Sequence, residues 1–411
     1  MNSVNIETIT KLGLYIQTQK GYAFKSEWYN NSGTPIVKVS DFTDDSIDSS
    51  NLTCIPNEIA TNYLKYQLNN GDVVIQTVGS WPSNPKSVVG KVIRIPSNAS
   101  GALLNQNAVK IIPDKTLDKS YLFYLLKSNL FKEYIIGCAQ GAASQASITL
   151  EDIRKFSFKL LPFPTQRIIA AILSTYDDLI ENNTRRIKIL EEMAQAIYKE
   201  WFVNFRFPGH EKVKMVESDL GLIPEGWEVK HFGEVTLNFD SKRIPLSSLK
   251  RAGMKGTYPY YGAAKILDFI NDYIFDGKYL LIAEDGSVIT NDNKPVLQLV
   301  NGKFWVNNHT HVIQGRPPVS TEFLYLLMSD INISGYITGA AQPKITQANL
   351  NRIPVLTPNQ TLLQEFNEIV QNILNNVEIL NGKNSNLRRT RDLLLPKLIS
   401  GEIDVEGIEV G

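Results

Sequence analysis

Two short stretches, separated by almost half the chain, constrain the fold more than any other feature. GAASQASITLEDI begins at Gly141 and GAAQPKITQANLN at Gly339. Gln145 matches Gln342, Ile148 matches Ile345 and Thr149 matches Thr346, an offset of 342 − 145 = 197 residues. Solenoid repeats run about 20–50 residues, so an offset of this size points to a whole domain present twice. The 411 residues leave room for two copies at ~150 residues per domain.

The repeat has a local physical reading. Thr149 and Thr346 stand where a hydroxyl can accept from the first free backbone N–H groups of a helix. Asp152 and Asn349 lie three residues on, at the position a capping box gives to Glu or Gln. Ile148 with Ile153, and Ile345 with Leu350, take the two places of a hydrophobic staple. Upstream, YLFYLLKS from Tyr121 pairs with EFLYLLMS from Glu322, a second matched helix.

Downstream the match becomes one of period. One seam runs through Ile169, Ile172, Tyr176, Ile180, Asn183, Ile187, Leu190, Ala194, Ile197 and Trp201. The other runs through Leu363, Phe366, Val370, Ile373, Val377, Leu380, Asn384, Leu387, Arg391, Leu394 and Leu398. Steps of three and four make a coiled-coil stripe and exclude a strand. Asn183 and Asn384 each put one amide on the stripe, a device that fixes register at a cost in stability. Gly382 weakens the second helix, and Pro396 is expected to kink or end it. The expected order is a first globule at 1–160, a long helix at 161–207, a linker at 208–226, a second globule at 227–357, a second long helix at 358–400 and a tail at 401–411. In both globules short strands dominate, such as GDVVIQT after Gly71 and GKYLLIA after Gly277.

Composition adds exclusions. Cys54 and Cys138 are the two cysteines, so neither a disulfide framework nor a CxxC zinc site is available, and a reducing, cytoplasmic setting is expected. No stretch reaches the ~20 apolar residues of a membrane span, and the start lacks the pattern of a signal peptide. With 42 basic and 42 acidic side chains, net charge says nothing in favour of nucleic acid. Any such preference has to be local.

It is local in the loops, which differ between the copies. Lys242, Arg243, Lys250, Arg251 and Lys255 occur without an acidic residue among them, followed by Tyr258, Tyr260 and Tyr261. The first copy offers Lys25, Ser26, Tyr29, Asn30, Trp81, Asn84 and Lys86. Lys and Arg neutralise phosphates, while Asn, Arg and Ser can read base edges. His309 and His311 share one face of an expected strand. That pair is short of the ligands of a metal site, and His309 is expected to make a DNA or packing contact. Asp177, Asp178 and Glu181 read as a solvated helix face.

This ordered set, with LGLIPEGWEVKHFGEV before the second globule, GYAFKSEWYNNSGTPIVKVSDF, YPYYGAAK with VNNHTHV, and the ending LLLPKLISGEI, resembles the specificity subunit of type I restriction–modification enzymes. The resemblance spans essentially the whole chain. It implies an α+β architecture in which two α/β target-recognition domains are joined by two long helices packed as an antiparallel coiled coil, with pseudo-two-fold symmetry. It further implies that each domain reads half of a bipartite double-stranded DNA site. The helices would set the gap and dock two methyltransferase subunits, with restriction subunits joining them. S-adenosylmethionine, ATP and magnesium would belong to those partners and no cofactor to this chain. In keeping with that, the sequence holds no [ND]PP[YFW] stretch, no glycine-rich methyl-donor loop after a strand and no GxxxxGK[ST]. Two other readings stand beside it: a coiled-coil adaptor that binds no DNA, and a fused nuclease or methyltransferase.

Overall fold

The structure, a computed structural model, describes residues 9–82, 88–141, 145–339 and 342–408. It divides into two compact units, residues 1–182 with 384–411 and residues 183–383. The division cuts through both long helices, so each unit takes part of each helix into its own core, where the sequence suggested separate spacer segments.

Each unit is organised around one central strand. Val73–Gln76 and Tyr279–Ala283 are buried at every residue, as strands covered on both faces must be. Gly71 and Gly277 precede them with φ of +77° and +124°, a region open mainly to glycine. In the first unit the antiparallel sheet runs Ile16–Lys20, Ala108–Pro113, Val73–Gln76, Val92–Arg94. In the second it runs Thr236–Asn238, Thr310–Gly315, Tyr279–Ala283, Leu297–Val300, again antiparallel throughout. A second sheet in each unit, of three strands in the first and four in the second, contains one parallel pair, Thr34–Val37 with Leu103–Leu104 and Lys255–Tyr261 with Lys303–Val306. The strand pair Ile9–Lys11 with Ser157–Lys159 has its counterpart in Glu228–His231 with Pro354–Thr357. The duplication therefore covers the central sheet, a parallel strand pair and the closing strand pair of each unit, well beyond the short repeat that betrays it.

The repeat closes each globule. Thr149 Oγ accepts from the Asp152 amide at 3.1 Å, and Asp152 completes the capping box by accepting from the Thr149 amide at 2.8 Å. Thr346 caps Gln347–Asn351 in the same way, but Asn349 instead donates to the Tyr336 carbonyl at 2.9 Å. All four staple residues are buried.

The long helices are Phe163–Tyr198, continued by a π-helical turn Lys199–Val203, and Gln360–Ser400. Among the seam residues of the second, none is exposed, and Asn384 is 2% exposed. Asn183, Ile187, Leu190 and Ile197 on the first are half-buried. Within the first unit Ile169 and Leu173 pack with Leu398 and Ile399; within the second Ala194 and Tyr198 pack with Leu363 and Phe366. In the first unit Asp177 meets Arg391 while Ile169 lies in one cluster with Leu398, and in the second Trp201 packs on Phe366 while Glu191 and Leu374 line one cavity, so the segments pack antiparallel. Near the globules the buried face widens beyond the seam to take in Leu173, Tyr198 and Phe202; around Val377 and Leu380 only the narrow stripe is covered.

Two expectations are corrected. Pro396 neither ends nor interrupts the helix, which continues to Ser400. It sits in the last turns, where the carbonyl it leaves unpaired lies on an exposed face, and the true stop is Gly401 at φ +76°. The stretch read as a linker holds a hairpin, Met215–Ser218 with Gly221–Pro224. No helix among the described residues is long and apolar enough to cross a membrane.

Candidate nucleic-acid interface

In the second unit the basic loop is built as an anchored tip. Ser247 caps the helix Ser248–Ala252 by accepting from the Lys250 amide at 3.2 Å. The preceding chain is tied down twice: the Leu246 amide donates to the Tyr260 hydroxyl at 3.0 Å, and the Trp305 indole donates to the Ile244 carbonyl at 2.6 Å. Lys242 and Lys250 point outward, with no acidic partner among the described residues; Lys242 lies over the Phe239 ring at 5.1 Å.

The other basic residues of the loop have structural work that the sequence did not reveal. Arg251 donates to the Leu246 carbonyl at 2.7 Å, stacks over Tyr260 at 5.0 Å and lies 3.6 Å from Asp268. Lys255 is exposed but paired with Asp268 at 2.7 Å. Arg243 is turned inward, donating to Glu284 at 2.6 Å and to the Thr310 carbonyl at 2.8 Å. Of the tyrosines, Tyr260 is 1% exposed and belongs to the core. Tyr261 packs edge-on against Phe304 at 5.7 Å and Tyr258 against Tyr273 at 5.1 Å. The strand's alternation turns Tyr260 in, and a bulge between it and Tyr261 resets the faces.

The histidines divide similarly. His309, half exposed, pairs with Asp285 at 2.7 Å. His311 is 1% exposed, with Nδ1 against Asp240 at 2.6 Å and Nε2 against the Ile345 carbonyl at 2.9 Å. Asp240, Glu284 and His311 bring ligand-type atoms together. However, Arg243 and Lys344 already fill the space around the carboxylates, Lys344 at 3.1 Å from Glu284. These pairs neutralise the carboxylates, and the cluster ties the Lys344–Ile345 repeat segment to the central sheet. Burial raises the Asp240 and Glu284 carboxyls, but hydrogen bonds and charge from His311 and Arg243 outweigh it and hold both below the ordinary carboxylate range.

In the first unit Lys25, Ser26, Tyr29 and Asn30 are exposed. Lys25 lies over the Trp28 ring at 5.4 Å and 3.4 Å from Glu27. The Asn30 backbone is bridged to Cys54, and the Tyr29 hydroxyl donates to the Phe24 carbonyl at 3.3 Å. Trp81 packs against the unit's core, while Asn84 and Lys86 lie outside the described residues. Sequence reading missed a half-exposed aromatic cluster beside this loop. Tyr22 lies 4.5 Å from Tyr63 and 5.3 Å from Tyr66, with Lys65 over Tyr66 at 4.9 Å. Its members come from segments 41 residues apart, and the only local signal is the pair Tyr63 and Tyr66 at helical spacing.

Two units of one topology, joined by shared helices and carrying unlike polar-aromatic loops, define a duplicated recognition protein. The sequence profile described as the type I restriction modification DNA specificity domain matches residues 8–192 and 224–389, and the chain belongs to that family. It is a DNA specificity subunit of the type I restriction–modification class. Among similar proteins, the type I restriction enzyme MjaIX specificity subunit of Methanocaldococcus jannaschii is 29% identical, covering 74% of this chain and 73% of its own length. The putative MjaX specificity subunit of the same organism is 25% identical, covering 91% and 88%. The crystal structure of a type I restriction–modification S subunit from M. genitalium superposes with a TM-score of 0.59 at 18% identity, covering 97% of this chain and 98% of that one.

Proposed function

We propose that each unit reads one half of a bipartite duplex site and that the two long helices set the gap and dock two methyltransferase subunits. Restriction subunits complete the assembly. The chain itself is non-catalytic, works in the cytoplasm, and leaves S-adenosylmethionine, ATP and magnesium to its partners. The observation that carries this reading is topological. The central four-stranded sheet, the threonine-capped turn and the long helices recur in both copies, whereas the exposed loops differ in length and residue type. Shared parts suit a job done twice with identical partners, and divergent loops suit two different half-sites. Mapping methylated adenines in the source genome with and without this gene tests it. Two short half-sites at a fixed gap, lost together when the gene is removed, are expected; one continuous site contradicts the proposal.

A further inference from the structure

We infer that Leu249 is a specificity-determining residue of the second unit, contacting the C5-methyl group of a thymine in the major groove. The inference rests on the reading of this unit as a DNA reader. Leu249 is 85% exposed, although the short helix that carries it is held by Ser247, Leu246, Arg251, Tyr260 and Trp305. A rigid tip that presents a bare isobutyl group has already lost the backbone freedom that binding would otherwise cost.

The electrostatics select the partner. From Lys242 to Leu267 there are six basic residues and no acidic one. Of these, Arg243, Arg251 and Lys255 are engaged within the protein, which leaves Lys242, Lys250 and Lys265 exposed to meet phosphates, Lys250 following Leu249 directly in the chain. Duplex DNA offers negative charge around a groove whose principal apolar feature is the thymine methyl, and apolar side chains read that methyl. An apolar protein partner would satisfy Leu249 but leave these lysines facing no counter-charge.

The test uses the assembled complex with its methyltransferase subunits and its mapped site. Replacing in turn each thymine of the second half-site by uracil removes only the methyl group. At one position this is expected to weaken binding by the wild type about fourfold, the worth of one buried methyl-sized group. The same substitution leaves Leu249→Ala binding unchanged, because that side chain no longer reaches the methyl. A second half-site without thymine, or losses from uracil that are equal in wild type and Leu249→Ala, overturns the assignment. Lys250→Ala separates this outcome from failure of the underlying reading. It should weaken binding to all sequences alike and lower the salt dependence. If Lys250→Ala weakens binding and Leu249→Ala does not, only the Leu249 assignment fails; if neither changes DNA binding, the DNA-reading role of this unit fails as well.

Discussion

Arg391 occupies a seam position where a coiled coil ordinarily holds an apolar residue, and replacing it by Met tests why an arginine stands there. Its guanidinium donates to Asp177 at 2.6 Å and Asp45 at 2.9 Å, joining both long helices to the first globule within one unit. Asp177 also accepts from the Tyr124 hydroxyl at 2.6 Å and faces Arg94 at 3.6 Å. Asp45 keeps Lys127. Removing one member of a buried pair costs about 3–5 kcal/mol, because the other charge stays desolvated. The remaining partners of Asp177 and Asp45 place Arg391→Met at the lower end, about 3 kcal/mol. In native-state hydrogen exchange that is about a hundredfold loss of protection, expected in the helices Lys119–Lys127 and 163–182 and absent from Tyr279–Ala283 of the other unit. Adding Asp177→Leu to Arg391→Met should recover little of the loss, since it leaves the buried Tyr124 hydroxyl and Arg94 without the carboxylate they face. A loss under tenfold, or an equal loss in both units, would refute the claim that this network clamps the helices to the first globule.

Three further outcomes follow from the same structure. Thr149→Ala and Thr346→Ala should each lower stability by about 1 kcal/mol in thermal unfolding, the first by more because it also dismantles the Asp152 capping box. Burial raises the Asp45 carboxyl, but the charges of Lys127 and Arg391 outweigh it and hold it below its ordinary value. The unfolded chain therefore binds the proton more readily, and the stability from this group is full above about pH 5. It is lost as pH falls through the depressed folded value, and Asp45→Asn should flatten that acid decline in a denaturation series. Charge reversal of Lys242 and Lys250 should weaken DNA binding by the assembled complex and reduce the slope of log affinity against log salt by about 0.9 for each phosphate no longer neutralised. An unchanged slope would mean that neither lysine meets a phosphate.

Much of the fold was legible because helical period and capping chemistry are local. The positions from Leu363 to Leu398 lie on one face whatever the helix packs against, and Thr149 with Asp152 can be read within four residues. The partners of those faces were not legible. Arg391 fell on the stripe, but Asp177 looked like part of a solvated face, because its neighbours Tyr124, Arg94 and Arg391 come from elements far away in the chain. Pro396 illustrates a rule set aside by position, since a proline near a helix end removes few bonds. In the basic loop, residue type alone could not separate Lys242 and Lys250, which face outward, from Arg243 and Arg251, which hold the tip in place. Strand alternation could have turned Tyr260 inward, although the bulge at Tyr261 has no sequence signature.

The central claim, that each copy reads its own half-site, is tested most directly by exchanging residues 1–150 for those of another family member and mapping methylated sites made by the assembled complex. One half-site should change to that of the donor, while the other half-site and the gap stay as they were. Alteration of both half-sites together, or of neither, would contradict the account.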